Sequence, residues 1–189
     1  MSNTQIIREI IKNRRNTKEF LEKDVSKELI EFLLECGTWA PNHRNTEPWR
    51  FFVVNRESKA RKYIAQGMID LRQNMLGKEL SDNQKNSIQT QINGFPVIIF
   101  VLSVVDANDE ITEENYAATC CAIQNMQLAA ESVGLGIGWS TGNIAKIETL
   151  HRMISSEIDL KMVGVLSVGY PASKVEKMRT GFKELTRWL

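Results

Sequence analysis

The apolar positions follow a helical period in the amino-terminal part of the chain, and this pattern predicts two amphipathic helices. Isoleucines recur at helical spacing over residues 6–11, after Thr4 as the helix cap. A second apolar stripe runs from Ser26, a favoured amino-terminal cap, to Gly37, a favoured carboxyl-terminal cap. Each of these helices has one apolar face that another part of the protein must cover.

Extended segments are predicted where β-branched and aromatic residues run together. Residues 97–105 form an apolar run, mostly of β-branched and aromatic residues, after Pro96, interrupted only by Ser103, which is typical of a strand buried on both faces. Shorter strands are predicted at residues 51–54, 135–139 and 162–168. In the second of these, glycine alternates with larger residues, which indicates that another group approaches the backbone closely. Because the strands are few and irregularly spaced among helices, the pattern favours the α+β class.

The remaining segments predict further helices. Residues 56–93 are charged and rich in Asn and Gln, and predict two peripheral helices. Thr112 and the acidic residues after it open a long helix that Gly134 caps. A short helix is predicted near residues 146–154. Because the residues of the long helix are small and apolar on most of its sides, we expect a partner subunit to cover part of it.

Composition narrows the class of protein. The 189 residues are 42% hydrophobic and 25% charged, which fits one globular domain over residues 1–189. Lys and Arg number 24 against 23 Asp and Glu, so the net charge of +1 lacks the basic excess of a nucleic-acid-binding protein. The longest apolar run, 96–105, is about half of the roughly 20 residues that span a bilayer, so no membrane segment is expected. Charged residues interrupt the amino-terminal apolar positions, so no signal peptide is expected either.

Cysteine and histidine usage excludes several kinds of site. Cys36, Cys120 and Cys121 are odd in number and lack disulfide-framework spacing, which predicts a reducing, cytoplasmic location. Cys120 and Cys121 lie in the long helix of small apolar residues, where a packing role is favoured over a redox role. His43 and His151 are not in CxxC or HExxH settings, so no metal site is expected.

Two polar segments carry candidate chemistry, and each also has an ordinary structural explanation. Residues 14–18 place three cations in five positions at a helix end, as either a solvated basic terminus or an anion site. The loop 39–49 combines two tryptophans with His, Arg, Asn and Glu. Each of these loop residues is explained singly as a surface or core position, but together they suit a planar heteroaromatic ligand.

A glycine-rich segment at residues 134–143 resembles a dinucleotide fingerprint only superficially. Its glycines follow a helix and enter a strand, whereas the Rossmann motif leaves a strand and opens a helix, so that motif is rejected. The segment instead offers a close backbone approach with hydrogen-bonding side chains after it. Near the carboxyl terminus, Lys177 and Arg179 form a cation pair suited to a phosphate.

Four segments, taken in order, resemble the nitroreductase family of FMN-dependent oxidoreductases, and in particular its small single-domain bacterial members. They are RRNTKEF (14–20), APNHRNTEPWRFFVV (40–54), GLGIGWSTG (134–142) and GYP followed by K-x-R. The resemblance covers most of the chain and fails around residues 57–95. It implies a central mixed, mostly antiparallel sheet flanked by helices, and an intertwined homodimer with two flavin sites at the interface.

The resemblance also implies which residues hold the flavin. The amino-terminal motif is implied to bind the flavin and its phosphate, the loop to approach the flavin from the other subunit, the glycine-rich strand to line the ring, and the carboxyl-terminal pair to bind the phosphate. In that order the residues are Arg14, Arg15, Asn16 and Lys18; Trp39, His43 and Asn45; Trp139, Ser140 and Thr141; and Lys177 and Arg179. No catalytic side chain is implied, because the FMN carries the chemistry.

Three positions depart from the family pattern. Asn16 replaces the usual Ser, Lys18 the usual Arg and Glu47 the usual Gln. Lysine lacks the bidentate fork of arginine, so its contact is expected to be looser. A carboxylate at residue 47, if close to the ring, would lower the flavin potential because the ring becomes anionic on reduction.

The function implied by the resemblance is an FMN-dependent NAD(P)H oxidoreductase. Hydride passes from NAD(P)H to FMN and then to a nitroaromatic, a quinone or a similar small acceptor, by a ping-pong mechanism. Arg14 or Lys18 is expected to support the reduced ring. Two alternatives stay open: a non-catalytic flavin-binding or interaction protein, and a flavin enzyme of the same fold with a different reaction, such as flavin fragmentation or reductive dehalogenation.

Overall fold

One antiparallel sheet organises the computed structural model, which describes residues 2–150, 154, 158–173 and 176–189. Within these residues the sheet has four strands in the order β1-β2-β4-β3, and every neighbouring pair is antiparallel. An isolated parallel bridge joins Asn16 to Ile137 at the outer edge of β3. The strand bounds are β1 Trp49–Val54, β2 Val97–Val104, β3 Gly136–Ser140 and β4 Leu160–Gly169.

Five α-helices accompany the sheet in the described part of the chain. Their bounds are α1 Asn3–Asn13, α2 Lys27–Thr38, α3 Ala60–Leu76, α4 Asp82–Gly94 and α5 Asp109–Ser132. Short 3-10 turns occupy His43–Asn45, Asn143–Lys146 and Phe182–Glu184. This mixture of helices with one antiparallel sheet confirms the predicted α+β class. In the described residues no helix is both long and apolar enough to cross a membrane.

The sheet separates two apolar layers. On one face α2 and α5 pack against the strands, with Leu33, Met126 and Leu166 fully buried between them. On the other face α3 and α4 contribute Ile64 and Ile92 to a second core. The two helices predicted over residues 56–93 are therefore confirmed, but they are not wholly peripheral, because Ile64 of α3 and Ile92 of α4 are buried against the sheet, while Ile88 of α4 packs on α3.

A buried arginine joins the second layer to the sheet. The Arg61 guanidinium donates hydrogen bonds to the main-chain oxygens of Asn55 at 2.7 Å, Ile92 at 2.6 Å and Pro96 at 3.0 Å. It therefore links the end of β1, the end of α4 and the start of β2. Burial, and secondarily the charge of Arg56, lowers the pKa of Arg61 from its ordinary value. The carbonyl dipoles take the place of a counter-ion.

Several predicted helix ends differ from the structure. Ser2, and not Thr4, caps α1, because its hydroxyl accepts from the Gln5 amide while the Gln5 side chain accepts from the Ser2 amide. Gly37 is inside α2 and not after it. A Cβ there would meet the Met126 side chain at 3.0 Å, so this glycine serves the packing of α2 on α5.

The long helix begins earlier than predicted. Asn108 is its cap, with the side-chain oxygen accepting from the Glu110 amide at 2.9 Å. The Thr112 hydroxyl instead accepts from the Asp106 amide at 2.8 Å. At the other end Gly134 adopts a left-handed φ of 73°, as predicted for its cap. Of the short helix predicted near residues 146–154, the structure describes a start at residue 149, and residues 151–153 lie outside the described part.

Candidate functional site

The segment after α1 lies along the outer edge of β3. The Thr17 amide donates to the carbonyl of Ile137 at 3.1 Å, and the Asn16 side-chain oxygen accepts from the Trp139 amide at 2.6 Å. The Asn16 side chain thus takes the place of a main-chain acceptor and extends the ladder by one bond. This contact fixes the basic segment, residues 14–18, against the glycine-rich strand.

Thr17 explains the alternating glycines of that strand. It is 8% exposed, and Cβ atoms added at Gly136 and Gly138 would collide with its side chain and its carbonyl oxygen, respectively. The group that approaches this backbone is therefore another segment of the same chain. Sequence reasoning did not single out Thr17. The glycine alternation was the available signal, because it indicated a close neighbour without identifying it.

Cations converge at the start of this segment. Burial lowers the pKa of Arg14 from its ordinary value, and the charges of Arg179 and Arg15 lower it further, while Glu131 raises it. Among the described residues, the buried Nε of Arg14 has no hydrogen-bond partner. Arg15 donates to the main-chain oxygens of Lys12 and Arg14, which caps the end of α1. The charges of Arg15 and Arg179 therefore act on Arg14, at an electrostatic cost that an anion would remove.

A cavity of about 630 Å³ lies beside these cations. Residues 15–19 form one wall, and residues 134–136 with residues 171–173 form the facing walls. Lys177 and Glu131 also line it. The predicted residues Arg15, Asn16, Lys18 and Lys177 therefore share one cavity. Its volume lies within the roughly 300–1,000 Å³ typical of small-molecule and cofactor sites.

The end of β3 places its three predicted residues differently. The Trp139 indole packs on the core, and its Nε1 donates to Val163 O at 3.4 Å. Val163 is the extra residue of a β-bulge, since Val101 pairs with Gly164 and Leu102 with Met162. Ser140 and Thr141 are exposed beyond it. The Trp139 ring therefore supports the strand, and the two hydroxyl side chains are the accessible groups.

The loop after α2 is anchored to α5. His43 Nδ1 lies 2.8 Å from Glu114 Oε1, and the Thr46 hydroxyl donates to Asn115 Oδ1 at 2.7 Å. The backbone is strained here, with positive φ at three non-glycine residues: Arg44 (59°), Asn45 (52°) and Glu47 (43°). Such strain recurs at ligand sites, where surrounding contacts maintain it. Trp39, at the start of the loop, is 81% exposed.

The loop and the cavity lie at opposite ends of α5. Glu114 contacts the loop and Glu131 lines the cavity. These residues are separated by about 17 helical positions, which corresponds to roughly 25 Å along the helix. Within one chain, therefore, the predicted residues Trp39, His43 and Asn45 are not brought to the cavity that holds Arg15, Asn16, Lys18 and Lys177.

Comparison with known proteins gives a consistent picture. Residues 11–170 match the family model described as the nitroreductase family. The chain is 30% identical over 182 residues to "Putative NAD(P)H nitroreductase YfhC" of Bacillus subtilis, covering 95% of this chain and 92% of that protein. YdjA of Escherichia coli K12, with the same designation, is 26% identical and covers 88% of each chain.

A solved structure shares the whole fold. The nitroreductase-like family protein from Bacillus cereus superposes with a TM-score of 0.82 at 28% identity, covering 100% of this chain and 98% of that one. Family model, sequence relatives and fold all agree with the four motifs and with the antiparallel sheet. The chain belongs to the nitroreductase family.

Proposed function

We propose that the protein is an FMN-dependent NAD(P)H oxidoreductase that reduces a nitroaromatic, a quinone or a similar small acceptor. The observation that carries the proposal is the buried Arg14 Nε without a partner among the described residues, in a group whose pKa burial, Arg179 and Arg15 lower. Such an arrangement is stabilised by a bound anion. Lys177 on the cavity wall adds a further cation.

The residues present fit FMN. Arg14, Arg15, Lys177 and Arg179 would hold its phosphate through charge-assisted hydrogen bonds. Asn16, fixed to the Trp139 amide, would line the passage between the phosphate end and the far end of β3. When bound, FMN supplies the hydride-transfer chemistry, so no catalytic side chain is needed.

Ser140 and Thr141, exposed at the far end of β3, would hydrogen-bond to the ring. Lys18 lines the same cavity and would provide positive charge that favours the reduced ring. A lysine there supplies a point charge without the bidentate geometry of arginine. The single domain over residues 1–189 would bind donor and acceptor in turn at one open site, which is the basis of a ping-pong mechanism.

We further propose a homodimer in which each site is completed by the partner. No residue of α1, all of which are described, is buried, and Ile7 and Ile11 are 58% and 52% exposed. The carboxyl-terminal segment exposes Phe182 and Trp188 in the same way. Apolar surface of this extent favours association. A second copy would also bring its loop to the cavity that the chain's own loop is roughly 25 Å from reaching.

Two observations support the activity over a purely structural role. The relatives YfhC and YdjA carry NAD(P)H nitroreductase in their names, and the chain covers 92% and 88% of their lengths. Three cations, Arg15, Lys18 and Lys177, line the cavity, and its volume of about 630 Å³ is unfilled by side chains. The cavity therefore keeps the space and the charge that a flavin phosphate needs.

The test is direct. The purified protein should be yellow, release FMN on heating, and bleach with NADH or NADPH in the absence of oxygen. Arg14→Ala should weaken FMN binding by at least tenfold, as for a lost charge-assisted contact of about 1.5–3 kcal/mol. Arg72→Ala, on the exposed surface of α3, is the control and should bind FMN normally. A colourless protein that does not bind added FMN would overturn the proposal.

Turnover then separates the remaining alternatives. A non-catalytic flavin-binding protein would bind FMN without reducing any member of an acceptor panel. A flavin enzyme with another reaction would consume NAD(P)H or oxygen and give fragmentation or dehalogenation products, which product analysis identifies. The proposed activity requires reduced nitroaromatic or quinone products in proportion to the NAD(P)H consumed.

A further inference from the structure

A buried asparagine of α5 contacts the loop that follows α2. Asn115 is 4% exposed, and its Nδ2 donates to the carbonyl of Val104, the last residue of β2, at 3.2 Å. Its Oδ1 accepts from the Thr46 hydroxyl at 2.7 Å. The Val104 amide in turn donates to the carbonyl of Pro48 at 2.9 Å. One carboxamide therefore connects the helix, the end of β2 and the loop.

The backbone conformation of this loop depends on hydrogen bonds. Arg44, Asn45 and Glu47 have positive φ. That region is unfavourable for residues with a Cβ, and the segment 42–47 contains no glycine that would relieve it. Residues 43–47 are all exposed, so burial of apolar surface does not hold the loop in place. Polar contacts with the rest of the protein must therefore maintain the strained backbone.

Adjacent residues of α5 supply such contacts, and Asn115 is the better shielded of the two. Glu114 Oε1 lies 2.8 Å from His43 Nδ1, but their side chains are 30% and 62% exposed, so water competes for this pair. The carboxamide of Asn115 belongs to a buried residue, where a hydrogen bond is stronger and a lost partner is more costly. Asn115 is therefore the main anchor of the loop.

We propose that Asn115 is a positioning residue, which holds the loop in the conformation that completes the flavin site of the partner subunit. This inference rests on the proposed function, in which the loop of one copy reaches the cavity of the other. Asn115 acts through Thr46 and does not itself contact FMN. A preformed loop loses little conformational freedom on binding, so releasing it weakens FMN binding without removing a group that touches FMN.

A matched pair of Thr→Val substitutions isolates the contact. Thr46→Val removes the donor to Asn115 Oδ1, whereas Thr119→Val removes only a bond within α5, from the Thr119 hydroxyl to the Asn115 main-chain oxygen at 2.9 Å. Hydrogen exchange at the Glu47 amide, which donates to Asn42 Oδ1, reports the order of the loop in the full-length protein freed of FMN. Exchange should rise about tenfold in Thr46→Val, as for a lost hydrogen bond of ordinary strength, and stay unchanged in Thr119→Val.

FMN affinity, measured by the quenching of flavin fluorescence, reports the role at the site. Thr46→Val and Asn115→Ala should each weaken FMN binding about tenfold, while sedimentation shows that both variants stay dimeric. Thr46→Ser keeps the hydroxyl and should bind FMN with wild-type affinity. Thr119→Val should also bind FMN normally. Combining Thr46→Val with Asn115→Ala should cost no more than Asn115→Ala alone, because both changes break the same bond.

Mixed dimers test whether the loop acts across the interface. One subunit carries Arg14→Ala, which impairs its own cationic cavity, and the other carries Asn115→Ala, which impairs the loop that it gives to its partner. Since each site combines the cavity of one subunit with the loop of the other, one site contains both changes and the other contains neither. Half of the sites should therefore bind FMN with wild-type affinity. If Asn115→Ala does not give a folded dimer, Thr46→Val takes its place, because Thr46 is exposed.

The possible failures are distinguishable. A wild-type protein that does not bind FMN would overturn the proposed function and this inference with it. If the wild-type protein binds FMN, unchanged affinity in Thr46→Val or weakened binding in Thr46→Ser would overturn the inference alone. An equal loss in Thr119→Val would do the same, because it would show that lowered stability is the cause. Mixed dimers in which both sites are weakened would show that the loop serves its own subunit, and would also overturn the inference.

Discussion

The side-chain oxygen of Asn16 accepts a hydrogen bond from the Trp139 amide at 2.6 Å, and this contact joins the basic segment to the glycine-rich strand. The two residues are far apart in sequence, yet both were expected at the flavin. Asn16 replaces the Ser of the family pattern, and its longer side chain reaches the outer edge of β3. The substitution therefore has a structural explanation: an amide oxygen completes a ladder that the main chain leaves open.

Substitutions at Asn16 should separate the structural role from the binding role. Asn16→Ala leaves the edge amide without its acceptor and should lower the free energy of unfolding by about 1–2 kcal/mol. Asn16→Asp keeps an acceptor but adds negative charge beside Lys18, so its stability should stay near that of the wild type while FMN binding weakens. Chemical denaturation and FMN titration measure the two effects. Equal loss of stability in both variants would show that the hydrogen bond is not the source of the effect.

Gly138 should be the least tolerant glycine of β3. A Cβ there would collide with the Thr17 carbonyl oxygen and approach the Ser167 hydroxyl at 2.6 Å, so Gly138→Ala must displace backbone. We expect a loss of about 2–3 kcal/mol in the free energy of unfolding, typical of an overpacked site. Gly94→Ala is the control, because nothing lies within 4 Å of its Cβ position. Thermal denaturation of the pair gives the result, and equal melting temperatures would contradict the assigned contact.

Arg61 should contribute to stability and not to flavin binding. Arg61→Met removes the donor to three carbonyls of the second layer, and we expect a loss of about 3 kcal/mol or more. Arg61→Lys should recover only part of that loss, because a single ammonium cannot reach carbonyls arranged around a planar guanidinium. Arg72→Ala, exposed on the same helix, should be neutral within about 0.5 kcal/mol. Urea denaturation checks the order of stabilities. A fully stable Arg61→Lys would show that charge alone suffices.

The exposed face of α1 should be a dimer contact. Ile7→Glu places a charge on this face, and we expect sedimentation to show a monomer that keeps its helical circular dichroism, because no α1 residue is buried in the single chain. FMN affinity should fall with the dimer, since the partner's loop would no longer reach the cavity. Met75→Glu, 67% exposed on α3, is the control and should remain dimeric. A wild-type protein that is monomeric with full FMN affinity would contradict the shared site.

Local signals were sufficient for most elements. The run after Pro96 is β2, and the apolar stripe after Ser26 is α2, because strand and helix periods are set by side-chain geometry that the sequence contains. Two errors were local, since Ser2 and Asn108 cap α1 and α5 through nearby amides, and a third fell where a tertiary contact decides. Gly37 resembles a helix cap but is inside α2, because Met126 requires a small residue opposite it.

At the candidate site, too, some features were predictable from local sequence and others depended on tertiary contacts. The cations at residues 14–18 were evident from their local density, but this segment by itself favoured the ordinary explanation of a solvated helix end. Only the folded chain shows that Arg14 is partly buried and that the charge of Arg179 acts on it, since the two are separated by most of the sequence. The local sequence gives no signal for Thr17, which lies between the cations, because its role depends on contacts with Gly136 and Gly138 on another element.

The sequence by itself determined the α+β class, the family resemblance and the set of residues expected at the flavin, because these depend on local periods and on motifs read in order. Only the tertiary structure decided that these predicted flavin residues lie at two separate places within one chain. It gathers residues 15–18, Lys177 and the start of β3 around one cavity, and it holds the loop containing His43 at the other end of α5. The physical reason is the length of that helix: a rigid element of 24 residues fixes a distance that no local pattern encodes.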